Sequence, residues 1–383
     1  MGGPGGPDRN CLCRSHVSLG YCLSVFKAIG FWLAGLCLAL GALVEANGQS
    51  DEWRASIQNA DSLYQQGWYA QAAVVAERAV QVAERDLGPH HPDVATSLNL
   101  LALAHRAQGD YAAAEGPQVR ALAILEKLLG PEHHSVAIAI GNLAELYQAQ
   151  GRYADAEKAY KRALANVESA LGPQHPNVAT WLNSLAGLYY AQQRFDAAQP
   201  LYERALAVRE KALGPNNPAV AASLNNLAAL YRARGEYAAA EPLYRRSLDI
   251  ALKRMGEEHP AVAVPLNNLG ELYGAQGNFA AAESLHQRSL ALLENALGPD
   301  HPDLDPSLNY LADLYGARGQ YVAAEHFYRR SLHVRELHLG RDHVAVAGCL
   351  ENLARLYGVM GRGDDARRVS ERAAAIRSKA GSK

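Results

Sequence analysis

The sequence predicts an all-α protein, a right-handed α-solenoid of about eight antiparallel helical hairpins. Three observations predict it. Composition is the first: 49% of the 383 residues are hydrophobic, alanine and leucine dominate, and only 5 Phe are present, a mix that favours helices over strands. A fixed period is the second. Leu-Gly pairs recur at Leu87-Gly88, Leu129-Gly130, Leu171-Gly172, Leu213-Gly214, Leu297-Gly298 and Leu339-Gly340, with Met255-Gly256 in the remaining slot, so every step is 42 residues. Alanines from Ala72 to Ala366 and arginines from Arg78 to Arg372 keep the same grid without insertion or deletion. The third is that each unit is too short to bury its own apolar face and must stack on its neighbours.

Each unit reads as two helices. In "HPNVATWLNSLAGLYYAQ", Val178, Leu182, Leu185 and Leu188 follow helical spacing, and Pro176 suits a first turn because its φ is already fixed. A glycine such as Gly151 or Gly235 then closes this first helix, since glycine tolerates the left-handed conformation. An aromatic follows two residues later, as at Tyr153 or Tyr237, and opens a second helix that runs to the Leu-Gly pair. The recurring alanines permit close helix approach. Repeats are expected to start near 49, 91, 133, 175, 217, 259, 301 and 343.

Several departures carry expectations. Leu63-Tyr64 is one residue out of register, which marks the first unit as an N-terminal cap. In the last unit Gly363 replaces the aromatic and Arg367 the usual Glu, so its basic second helix closes the array with a solvated face. Pro265 and Pro306 fall in the first two turns of their helices, which are expected to start late or bend.

Residues 1–48 stand outside the repeats. Ala28 to Val44 is an uncharged apolar run with Arg9, Arg14 and Lys27 on its N-terminal side, the pattern of an export signal. Small residues around Ala46 allow cleavage, giving a mature chain from Asn47 or Gln49; an uncleaved anchor is the alternative. The body is then expected to be exported, that is periplasmic, secreted or membrane-anchored facing outward, with a cytoplasmic location as the alternative. Any membrane contact would run through that anchor alone.

The composition excludes some functions. Net charge is −2 and no block of Lys and Arg occurs, so no nucleic-acid footprint exists. Four of five cysteines precede position 38, leaving Cys349 alone in the body, and Cys11-x-Cys13 lacks the further ligands of a zinc site. The recurring histidines (His91, His133, His175, His259, His301, His343) lie one repeat apart, on the order of 10 Å, too far to share a metal with bonds near 2 Å. They read as structural residues of the interhelix turn. The recurring arginines read likewise as packing or ion-pair elements. No phosphate loop, His-Glu-x-x-His or Gly-x-Ser-x-Gly is present, so neither a cofactor nor catalysis is expected.

The motif aromatic-x-x-Ala after a glycine turn, preceded by Leu-Ala-x-Leu-Tyr and followed by Tyr-x-Arg-Ala-Leu, resembles a tetratricopeptide repeat. The 42-residue period with "GPxHPxVA" and "LNNLAxLY" is similar to the kinesin-light-chain type, over roughly residues 50–380. That resemblance implies a concave surface, formed by the first helices, on which partner peptides bind. Residues ahead of the array contain no heptads, so the resemblance is not extended to motor function.

On the first helix of the fourth unit, Leu182, Leu185, Ala186 and Tyr189 face the core, which leaves Asn183, Gly187 and Tyr190 as a separate stripe. Its first position carries Asn99, Asn183, Asn225, Asn267 and Asn309, and its third includes Arg106, Tyr190 and Arg232. A row of amides can hydrogen-bond an extended backbone, so these residues are the candidate partner-binding groups for a protein or peptide. The alternative is a spacer or assembly scaffold whose contacts lie on convex or end surfaces.

Overall fold

The computed structural model describes residues 51–381. The expected export signal lies outside them. Sixteen α-helices and no strand occur among the described residues, and they form consecutive helical hairpins. The described chain divides between Arg254 and Met255 into two compact units. No described helix is long and apolar enough to cross a membrane.

The first unit holds α1 (Asp51–Gln65), α2 (Tyr69–Leu87), α3 (Pro92–Ala107), α4 (Tyr111–Leu129), α5 (His134–Ala149), α6 (Tyr153–Leu171), α7 (Pro176–Ala191), α8 (Phe195–Leu213), α9 (Pro218–Ala233) and α10 (Tyr237–Met255, whose last residue is the border). From α1 to α9 each helix packs on the next in sequence. Ala72, Ala114, Ala156, Ala198 and Ala240 are all essentially buried, which is where the second helix of each hairpin approaches its neighbours.

The second unit holds α11 (Ala263–Ala275), α12 (Phe279–Leu297), α13 (Asp305–Ala317), α14 (Tyr321–Leu339), α15 (Val344–Val359) and α16 (Gly363–Gly381). Here α11 and α13 have 13 residues against 16 for α3, α5, α7, α9 and α15, because Pro260–Val262 and Pro302–Leu304 form 3-10 turns ahead of them. Pro265 and Pro306 thus sit near the start of shortened α-helices, where a missing N–H breaks no intrahelical bond.

The repeated residues of the turns have defined work. Glycines such as Gly109, Gly151 and Gly235 take φ of 74°, 75° and 77° to end a first helix, and Gln193 alone among described non-glycine residues is forced into that region, with φ 58°. His91, His133, His175, His301 and His343 each turn Nδ1 onto the backbone N–H two residues on, as N-caps. The grid arginines bridge repeats: Arg162 to Glu126 and Arg204 to Glu168 at 2.5 Å in the first unit, Arg330 to Glu294 at 2.5 Å in the second. On α16 the basic residues meet acids, Arg372 with Glu336, Arg377 with Glu351 and Lys379 with Asp342.

Candidate functional site: the amide row of the first helices

Asn183 and Asn267 tie their repeats to the next, and Asn99, Asn183, Asn225 and Asn267 are buried while Asn309 is half-buried. In the first unit Asn183 Nδ2 donates to Ser223 Oγ of the following first helix at 3.2 Å. In the second, Asn267 Nδ2 donates to Ser307 Oγ at 2.8 Å. Asn309 Nδ2 turns to Asp305 and to Ser331 Oγ at 2.9 Å. The carbonyl ends differ from repeat to repeat. Asn99 Oδ1 accepts from Gln118 Nε2 at 2.9 Å, and Asn267 Oδ1 lies 3.0 Å from His286 Nδ1. Burial pushes His286 down to about 3, so its ring is neutral and Nδ1 carries the proton that Asn267 Oδ1 accepts.

Asn183 Oδ1 and Asn225 Oδ1 are buried with no hydrogen-bond partner in the structure. Their residues are only 5% and 8% exposed. The cause lies on the second helix of each hairpin, where Gln118 and His286 are replaced by Tyr202 and Tyr244. A tyrosine reaches past the asparagine: the Tyr202 hydroxyl lies 3.6 Å from where a Cβ on Gly187 would be, one turn further along the first helix. An unpaired buried carbonyl costs about 1–3 kcal/mol, so the two oxygens are a standing demand for a donor.

The third stripe position is less uniform. Arg106 is spent on Glu145, which is 3% exposed at its side chain, so second- and third-position residues of successive repeats neutralise each other. Tyr190 is buried, its ring 5.6 Å from that of Phe195, and Arg232 is half-buried. The structure thus joins Asn183, Asn267 and Asn309 to serines of neighbouring helices and pairs Arg106 with Glu145.

Arg209 was not among the residues singled out by sequence. It donates to Ala219 O at 3.0 Å, Ser223 Oγ at 2.9 Å and Thr180 Oγ1 at 3.3 Å, all neutral groups. Burial pulls its guanidinium down to about 10. Ser223 is also the acceptor of Asn183, so a desolvated cation and an orphaned carbonyl share one network. Three repeats on, Arg335 holds the same register and meets a carboxylate, Asp305, with Nη2–Oδ2 at 2.7 Å. The sequence signal was available: Ala83, Leu125, Val167, Ala251 and Leu293 make most of that column apolar, and Arg209, Arg335 and Arg377 depart from it.

No group of three or more His, Cys, Asp or Glu side chains converges among the described residues. A tetratricopeptide repeat family model matches residues 53–127, 118–169, 135–211, 178–253, 220–295 and 261–337, and a second one matches 346–380. The chain belongs to the tetratricopeptide repeat family. Members of this family are in general noncatalytic protein-interaction scaffolds, and no catalytic family matches. The solved structures that match include BtubC (BKLC) from P. vanneervenii, 28% identical, covering 60% of this chain and 92% of that one with a TM-score of 0.49. A Podosopora anserina kinesin light chain with nearly identical TPR-like repeats is 27% identical over 54% of this chain and 99% of that one, TM-score 0.46. The apo form of RapI, 14% identical, covers 76% of this chain and 99% of its own with a TM-score of 0.53, a likeness of fold. No curated protein matches.

Proposed function

We propose that the tetratricopeptide array is a noncatalytic binding module that holds an extended segment of a partner protein along the first helices of residues 51–254. The network of Asn183, Ser223 and Arg209 carries this reading. An extended chain offers backbone N–H donors, which Asn183 Oδ1 and Asn225 Oδ1 lack; both oxygens are sealed in the closed stack, so the chain reaches them only where neighbouring first helices part. Equivalent positions of neighbouring repeats stand on the order of 10 Å apart, about three residues of extended chain at ~3.3 Å each. Arg209, with neutral partners only, adds a preference for a segment carrying a carboxylate. Because the stacked repeats are formed before the partner arrives, ordering cost falls mainly on the partner.

A second reading is a spacer or assembly scaffold that uses convex or end surfaces. It is favoured by Asn267 and Asn309, whose amides are taken up inside the fold. The apolar run from Ala28 to Val44 supports export or anchoring of the body.

The test is affinity capture from source-cell extract with the full chain, comparing wild type with an Asn183→Ala, Asn225→Ala double variant and with Arg209→Met. Circular dichroism first establishes that all are folded. Groove binding requires that a partner held by wild type be lost or weakened at least tenfold in both variants. Equal retention by all three would sink it and leave the scaffold.

A further inference from the structure

Of the arginines in the column of Arg209, the other two each clasp a carboxylate from the first helix of their own hairpin. Arg335 Nε and Nη2 reach Asp305 Oδ1 and Oδ2 at 2.9 and 2.7 Å, and Arg377 Nε and Nη2 reach Glu351 Oε1 and Oε2 at 2.5 and 2.8 Å. The same edge of the guanidinium is used both times, the side-on pairing that matches the two oxygens of a carboxylate. Arg209 has that edge and no acid beside it. The register of Asp305 is held by Ala179 and that of Glu351 by Asn183.

The rest of the fork is fixed in the same way. Arg209 Nη1 donates to Ala219 O at 3.0 Å, as Arg335 Nη1 donates to the equivalent Ala345 O at 2.8 Å, so both are gripped from the following first helix. What remains is poorly used: Nη2 has a long contact of 3.3 Å to Thr180 Oγ1, and Nε makes no hydrogen bond among the described residues. Burial pulls Arg209 down to about 10 with nothing to offset it; at Arg335 burial pulls the same way and the charge of Asp305 more than reverses it. Asp305 lies in the first turn of α13, where the helix dipole favours an anion, and the first turns of α7 and α9 carry no acid. The place is within reach of water. Arg209 is half-buried, and the side chains of Arg335 and Asp305 are 25% and 18% exposed.

We propose that Arg209, held between α7 and α9, is a carboxylate-binding site whose ligand stands where Asp305 stands beside Arg335. The ligand presents its two oxygens to Nε and Nη2 and displaces the long Thr180 contact. Two sources share this chemistry, an Asp or Glu side chain of a bound partner and a free small carboxylate. Only the first of them rests on the proposed function; the site itself rests on Arg209 and its two paired counterparts.

Thermal midpoints of the full chain at pH 7.5 test the site and then the source. When sodium chloride is exchanged for sodium acetate at equal ionic strength, about 0.2 M, wild type should gain at least twice as much as Arg209→Met. Ala179→Asp supplies the acid from within: it should hold or raise the midpoint in chloride, abolish the gain from acetate, and lower the midpoint once combined with Arg209→Met. An Ala179→Asp loss that Arg209 does not soften overturns the site. So does an equal acetate gain in wild type and Arg209→Met, which decides the matter alone should Ala179→Asp fail to fold. For the source, a blocked Gly-Ser-Asp-Ser-Gly peptide is compared with its Asn counterpart and with acetate, each at about 5 mM. A gain from the Asp peptide that exceeds that of acetate, and is absent for the Asn peptide and for Arg209→Met, supports an acidic side chain of a partner. A gain no greater than that of acetate overturns that source and leaves a free small carboxylate as the ligand. Failure of the proposed function reads differently: partner capture retained by all three chains sinks the groove and leaves the acetate gain untouched.

Discussion

The indole of Trp181 on α7 stands in the space that a side chain at Gly141 on α5 would need: a Cβ built there would lie 1.9 Å from Trp181 Cζ3. Gly141 holds the register of the asparagine row, and Trp181 the register of Ser97, Ser223 and Ser307. One Asn–Ser tie has thus been exchanged for a Gly–Trp fit. Gly141→Asn alone should destabilise by about 1–3 kcal/mol through overpacking, and Trp181→Ser alone by about 3–5 kcal/mol through the cavity. Together they rebuild the tie seen between Asn183 and Ser223, so denaturant unfolding of the double variant should show a loss well below the sum.

Gln193 closes α7 with φ 58°, where Gly109, Gly151 and Gly235 close the corresponding helices. A side chain in this region costs about 1–2 kcal/mol per residue, while glycine gives back part of that through a freer unfolded chain. Gln193→Gly should raise the thermal midpoint by about 1–3 °C in a calorimetric scan. An unchanged or lowered midpoint would mean that Gln193 makes compensating contacts.

These two sites mark where the sequence was legible and where it was not. The 42-residue grid located the Leu-Gly stops, the glycine turns and the late starts at Pro265 and Pro306, because each depends on backbone geometry that one residue type supplies. It also placed Asn183 and its equivalents on one stripe. It did not reveal that Asn183 reaches Ser223, or that Tyr202 bypasses the carbonyl that Gln118 and His286 serve in their own repeats. Those outcomes depend on side-chain length across a helix pair, which periodicity does not encode. Arg209 was passed over because one exceptional column among many regular ones carries no weight until its neighbours are seen.

Glu157 is held down to about 2, first by the hydrogen bond from Lys161 and then by those from Tyr189 and Arg194. A depressed carboxyl contributes stability that is complete above the unfolded value of about 4.3 and is lost as pH falls towards 2. Glu157→Gln should therefore lower the midpoint at pH 7 and flatten its decline between pH 4.5 and 2. Thermal scans across that interval check it. The surface position of Lys161 keeps the effect small, a degree or two on the order of one exposed pair.

Arg209 and Arg335 share a register and should respond oppositely to the same substitution. Arg335 is tied to Asp305 by Nε–Oδ1 at 2.9 Å and Nη2–Oδ2 at 2.7 Å, so Arg335→Met leaves a largely buried carboxylate unpaired and should cost on the order of 2–4 kcal/mol. Arg209 has only neutral partners, and its desolvation is repaid by no charge inside the fold. Arg209→Met should therefore be neutral or stabilising within about 1 kcal/mol in denaturant unfolding. Under the proposed function, a carboxylate of the partner is what would satisfy that charge. If Arg209→Met instead destabilises as strongly as Arg335→Met, its three neutral hydrogen bonds suffice and the cation needs no partner carboxylate.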